Sequence, residues 1–180
     1  MKKIKAAIVI SSIVIIAITL FQLSSTNINI VEEKNKKDVS LNYRADVCWY
    51  KNDNFLGCNK NILTNNGKDQ IKLLVGSGSN DPAKVIVLGN GSAPISTSTY
   101  HPSEIRDCNL TGATATYQSN GVGWWNETYT FISSCNNEVV NTTGLNTTAG
   151  VYFAGTTIST VTLNSVDTLK IVWNISVNES

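Results

Sequence analysis

The strongest constraint on the fold is a stretch of alternation near the end of the chain, residues 168–177, in which Val172 is the only apolar residue on the otherwise polar face. Apolar side chains there recur at every second position, at Leu169, Ile171, Trp173, Ile175 and Val177. A period of two places one face of a strand in a core and the other face in solvent. Turn-forming side chains occupy residues 164–167, and a Thr-rich run precedes them from residue 156. These features predict a β-hairpin over residues 156–177.

Similar patterns predict further short strands. Residues 41–49 alternate, turn at 51–54 and lead into a second arm that reaches Cys58. Residues 84–88 predict a central strand, and strands are expected near 110–118, 127–135 and 139–140, with more β structure after residue 150. Residues 63–76 predict one short capped helix that Gly76 ends. The expected fold is mainly β, a β-sandwich or a partly closed barrel with one short helix.

The first 25 residues predict an export signal. Three lysines precede an apolar run from Ala6 to Leu23. Its 18 residues lie near the lower end of the roughly 17–25 that a membrane span needs, and no small-residue cleavage site follows. A cleaved signal peptide and an uncleaved signal anchor are both open, and the segment predicts a hydrophobic helix. The basic start keeps the N-terminus inside, so the remainder is exported in either case.

Residues 26–40 connect this signal to residues 41–180, the expected extracellular β domain. Residues 27–31 alternate briefly, with apolar side chains at Ile28, Ile30 and Val31, and a charged run follows. One interpretation is a solvated tether. The other is a self-assembly strand that adds to the sheet of a neighbouring copy.

Four cysteines indicate an oxidising compartment. No pair has the Cys-x-x-Cys spacing of a metal site, and the chain has a single His, so neither metal nor cofactor is expected. An even count in an exported chain favours two disulfides. Three pairings are possible. We favour Cys48–Cys58 and Cys108–Cys135, because each joins neighbours across a hairpin or between adjacent strands.

Composition favours an exported surface protein. The chain has 22 Asn and 19 Thr, while charged residues make up 15%. Residues 1–84 carry a net charge of +5 and residues 85–180 a net charge of −4, so no basic stripe crosses the predicted domain and nucleic acid is excluded as an expected partner. Seven Asn-x-Ser/Thr triplets predict N-glycosylation. Their Asn residues are Asn90, Asn109, Asn126, Asn141, Asn146, Asn174 and Asn178.

No pattern of residues predicts catalysis. His101 stands in a polar loop without a second His or a nucleophile motif, which predicts a surface histidine. The carboxylates that glycoside chemistry would need are scattered along the sequence at Glu104, Asp107, Glu127 and Glu138. The adjacent Trp124 and Trp125 are candidates for stacking on a glycan, and the competing interpretation is that one packs while the other shields an edge. We therefore expect a protein that is not an enzyme.

Four segments carry a resemblance to known proteins. LTNNGKDQIK, KVIVLGNGSAP, NTTGL and DTLKIVWNISV follow one another within residues 61–177, about two thirds of the chain. In this order they resemble small, largely uncharacterised β-rich proteins of archaeal genomes and archaeal viruses, and more distantly bacteriophage structural proteins. The resemblance implies a structural role on a particle or surface and carries no active site. The N-terminal hydrophobic segment departs from the phage pattern, which argues against a role inside a virion.

Together these features predict an exported structural protein, a self-assembling subunit of a surface filament or a virus particle. Its partners would be copies of itself, and the membrane where the N-terminal segment stays uncleaved. The alternative is a membrane-anchored adhesin or glycan-binding protein at the cell or virion surface.

Overall fold

The computed structural model describes residues 41–78 and 81–179, which form ten strands and one helix. The strands are β1 Leu41–Lys51, β2 Asn54–Lys60, β3 Ile62–Leu63, β4 Ala83–Gly89, β5 Ala113–Thr114, β6 Thr116–Gly121, β7 Trp124–Ile132, β8 Glu138–Thr147, β9 Tyr152–Leu163 and β10 Thr168–Glu179, and the helix is α1, Asn65–Gly76. The export segment 1–25 and the connecting segment 26–40, with Ile28, Ile30 and Val31, lie outside the described residues.

The strands form two antiparallel sheets. Sheet 1 has the order β2-β1-β10-β7-β6, and sheet 2 has the order β3-β9-β8-β4-β5. Both contribute to one hydrophobic core, with Trp173 and Phe131 from sheet 1 and Leu88 and Leu145 from sheet 2 among its buried side chains. The mainly β prediction with one short helix is confirmed, and two separate sheets over a shared core are the arrangement of a β-sandwich.

The predicted hairpin over residues 156–177 is wrong. Its two arms exist as β9 and β10, but β9 belongs to sheet 2 and β10 lies between β1 and β7 in sheet 1. The turn at residues 164–167 therefore crosses from one sheet to the other. The alternation did identify the buried face correctly, because Leu169, Ile171, Trp173 and Ile175 are at most 1% exposed. A period of two specifies which face is buried and not which strand is the neighbour.

Two local predictions are confirmed. The β1–β2 hairpin turns at Asn52 and Asp53, whose φ angles of 48° and 63° suit a two-residue hairpin turn that matches the twist of the strands. Helix α1 begins after Thr64, whose hydroxyl accepts a hydrogen bond from the Gly67 backbone N–H at 2.9 Å. That contact satisfies one of the unpaired donors at the start of the helix.

Strand β8 is much longer than predicted. The sequence indicated a short strand at residues 139–140, whereas the strand runs over Glu138–Thr147. Its continuation is rich in Asn and Thr, so it lacks the alternating apolar residues that predict a strand. Thr142, Thr143 and Thr147 are nevertheless buried, and the Thr143 hydroxyl donates to the Val87 carbonyl oxygen at 2.9 Å. This hydrogen bond to the neighbouring strand offsets the cost of burying the Thr143 hydroxyl.

Both favoured disulfides are present. Cys48 and Cys58 lie directly opposite each other in the β1–β2 hairpin. The Cys108–Cys135 disulfide joins the long segment between β4 and β5 to the residues that follow β7. In the part of the chain that the structure describes, no helix has the length and apolar character needed to cross a bilayer.

Candidate functional site

Strand β6 forms an open edge of sheet 1. It is the last strand of the sheet, and all six of its residues are exposed. Its sequence, TYQSNG, contains neither a charged residue nor a proline. Edge strands of soluble proteins are usually protected by such residues or by coverage, because unpaired backbone groups invite another strand. A bulge between Ser119 and Gly121 is the one feature of β6 that protects edge strands in other proteins.

The opposite edge of sheet 1 is held by sheet 2. Strand β2 ends in Lys60, whose carbonyl oxygen accepts a hydrogen bond from the Thr156 hydroxyl at 2.8 Å. The Asn59 side-chain amide donates to the Thr157 carbonyl oxygen at 3.2 Å. The edges of sheet 2 are the two-residue strands β3 and β5. Among the described strands, β6 is therefore the edge best suited to pairing with another chain.

Behind this edge, a buried carboxyl group lies on the inner face of sheet 1. Tyr117 of β6 is opposite Glu127 of β7, which is opposite Trp173 of β10. Exposure falls along this row from 61% at Tyr117 to 5% at Glu127 and 0% at Trp173. Burial raises the pKa of Glu127 to about 7, while the charge of Lys84 acts in the opposite direction.

The two adjacent tryptophans point to opposite faces of β7. Trp124 is 54% exposed on the outer face, whereas Trp125 packs against the hydrophobic core. Successive side chains of a strand alternate between faces, so a single flat ligand on the sheet does not contact both. Trp125 is thus the one of the pair that packs, and Trp124 stays the candidate glycan contact.

His101 is not a surface residue, and that prediction is wrong. Its side chain is 3% exposed and lies against the backbone of Gly89 and Gly144 in neighbouring strands, edge to face with the Tyr152 ring at 5.7 Å. Burial lowers the pKa of His101 to about 4, and the nearby Thr143 backbone opposes that shift. The signal that sequence reasoning missed is the pair of glycines, which leave room for a ring over β4 and β8.

Three of the four scattered carboxylates meet in one place. Glu104, Asp107 and Glu138 line a cleft of about 450 Å³, while Glu127 lies apart on the inner face of sheet 1. Arg106 pairs with Glu104 at 3.2 Å. Asp107 and Glu138 lie close to the sulfur of Cys108, but that sulfur is bonded to Cys135 and is not a free ligand. The expectations of no metal and no catalysis stay predictions.

The glycosylation triplets differ in accessibility. Asn90, Asn109 and Asn178 are exposed, whereas the remaining four are half-buried in strands. Three of these four have a buried side-chain oxygen without a hydrogen-bond partner in the described part of the chain, namely Asn126, Asn141 and Asn146. The fourth, Asn174, lies directly opposite Asn126. Glycans on that pair would compete for the same space.

No protein family model, curated protein or solved structure matches this chain. The resemblance to archaeal, viral and phage proteins therefore stays a prediction.

Proposed function

We propose that this protein is an extracellular structural subunit whose copies assemble into a surface filament or a virus particle. The observation that carries the proposal is the open β6 edge, six exposed and uncharged residues at the end of sheet 1. An edge of this kind favours pairing with another strand.

Three features support a location outside the cell. Two disulfides within the chain fit an oxidising environment. The predicted export signal in residues 1–25 would deliver the domain there. The exposed Asn90, Asn109 and Asn178, each of which opens an Asn-x-Ser/Thr triplet, are available for glycosylation.

Electron microscopy of material from the native source tests this proposal, with antibody raised against residues 41–180. Label along filaments or on regular particles is the expected result. Light scattering on the purified full chain should show a mass of many subunits. Diffuse label over the membrane together with a monomeric mass would contradict assembly.

The alternative function is glycan binding at the surface, and the exposure of Trp124 favours it. A glycan array should then show binding that Trp124→Ala abolishes while the far-UV circular dichroism stays unchanged. Tyr117→Ala is the matched control, because it removes an exposed aromatic ring from the inner face of the neighbouring strand. Equal binding by wild type and Trp124→Ala would remove this alternative.

A further inference from the structure

We propose that β6 receives the segment Asn27–Val31 of a neighbouring copy as an added antiparallel strand, with Ile30 opposite Tyr117 and Ile28 opposite Ser119. This inference rests on the proposed function and names the partner of the β6 edge.

The segment and the edge match in length and pattern. Asn27–Val31 has five residues and β6 has six. In an antiparallel pair, residues directly opposite each other share a face. Ile28 and Ile30 would then both lie on the inner face, while Asn27 and Asn29 would lie on the outer face beside the polar side chain of Gln118.

Two rows of inner-face side chains end uncovered at this edge. One row runs from Trp173 through Glu127 to Tyr117, and the other runs from Ile175 through Trp125 to Ser119. Each row is fully buried at its β10 end and exposed at β6. An Ile side chain beside Tyr117 and another beside Ser119 would extend the core and remove apolar surface from water.

Chain direction favours a neighbouring copy over the same chain. Strand β1 starts at the end of sheet 1 where β6 finishes, since Leu41 pairs with Glu179, Ser176 with Trp124, and Trp124 with Gly121. A strand antiparallel to β6 would run parallel to β1. Joining parallel strands takes a crossover of about a dozen residues or more.

Only nine residues, 32–40, separate the segment from β1. They are too few for that crossover within one chain, so an antiparallel partner must come from another copy. If the segment of the same chain were added parallel to β6, the connection to β1 could be shorter than that crossover. The added strand would then form the one parallel pair in a sheet whose described pairs are all antiparallel.

Site-specific disulfide trapping tests this inference. All four native cysteines are already paired, so an introduced cysteine is the only free thiol in each variant. Full-length Ile30→Cys and Tyr117→Cys proteins, carrying tags of different size, are mixed under dissociating conditions, reassembled and mildly oxidised. Directly opposite residues place their Cβ atoms about 4.5–5.5 Å apart, close to what a disulfide needs.

The expected result is a disulfide-linked pair containing one chain of each kind, and the same for Ile28→Cys mixed with Ser119→Cys. Phe55→Cys on the opposite edge, β2, is the matched control and should give none. Trapping at Phe55 instead, or trapping only within one chain when both cysteines are on it, would overturn the inference.

A second pair of variants separates the inference from the proposed function. The full-length double variant Ile28→Asn/Ile30→Asn should abolish assembly and leave the far-UV circular dichroism of the folded domain unchanged. Asn27→Ser with Asn29→Ser, on the other face of the same segment, should assemble normally. Filaments that persist in the Ile variants would refute the strand assignment while leaving assembly itself intact. A wild-type chain that never assembles would refute both.

Discussion

Glu127 of β7 lies directly opposite Trp173 of β10, on the face of sheet 1 that points into the core. Neither Glu127 Oε2 nor Trp173 Nε1 has a hydrogen-bond partner among the described residues. A carboxyl group in such surroundings is more stable protonated than charged. Its titration therefore contributes to how the stability of the domain depends on pH.

Glu127→Gln should make the domain more stable at pH 8. The folded carboxyl keeps its proton up to a pKa of about 7, compared with 4.5 when unfolded. Its contribution is complete below pH 4.5 and is lost as the pH rises through 7, by up to about 3 kcal/mol. Urea unfolding at pH 4.5 and pH 8 measures the change. Asp69→Asn, on the exposed face of α1, is the control, and an unchanged pH dependence in Glu127→Gln would contradict the argument.

His101 should produce the opposite dependence. Its folded pKa of about 4 lies below the usual 6.5, so its contribution is complete above pH 6.5 and is lost as the pH falls through 4. Between pH 4.5 and 6.5 the contributions of His101 and Glu127 nearly cancel. Over that range we expect Glu127→Gln to gain roughly 3 kcal/mol with rising pH and His101→Phe to lose a similar amount. Parallel slopes for the two variants would show that at least one group does not titrate in this way.

Gly144→Ala should destabilise the domain by about 1 to 3 kcal/mol. A Cβ atom at this position would lie 2.5 Å from Cδ2 of His101 and 2.7 Å from Cε2 of Tyr152. Both rings are buried and have little room to move. Gly76→Ala is the control, because a Cβ atom there meets nothing within 4 Å and alanine favours the helix by up to about 1 kcal/mol. Thermal unfolding compares the two, and equal melting temperatures would contradict the close packing.

Glycan occupancy should follow accessibility. We expect peptide mapping by mass spectrometry to find modified Asn90, Asn109 and Asn178, and unmodified Asn141 and Asn146. The side-chain oxygens of the latter two are buried within β8, so a glycan there would displace packed neighbours. Full occupancy at Asn141 in folded, assembled protein would contradict the placement of that side chain.

Local patterns predicted the strands and the helix of this fold better than they predicted which strands pair with each other. The capped helix, the β1–β2 hairpin and the Cys48–Cys58 disulfide depend on residues close in sequence, and the structure has all of them. The pairing of β9 and β10 depends on which edges remain free after the other strands have paired. Alternation contains no information about that competition, and a hairpin was therefore predicted where the chain changes sheets.

The features of the candidate site that the sequence did not predict also depend on contacts between residues far apart in the chain. The contrast between Trp124 and Trp125 was open in the sequence, because alternation places one inside without saying which. The burial of His101 depends on Gly89 and Gly144, which are 12 and 43 residues away along the chain. The exposure of β6 depends on the final strand order of sheet 1. Contacts between distant residues determine all three, and no local pattern contains them.

The antiparallel order of sheet 1 determines how the proposed assembly would carry mechanical load. One pulling force would act on each subunit at the start of β1, through the residues that precede β1. The other would act through the neighbour's strand on β6, which would continue into its own subunit from the opposite end of sheet 1. The two forces would act along the strands in opposite directions, placing the ladders between β1, β10, β7 and β6 in shear. The eleven residue pairs of β1 and β10 would then resist together. Pulling on Leu41 and Glu179 of a single domain would instead separate the same pairs one after another, so single-molecule extension should find that domain weaker than the filament.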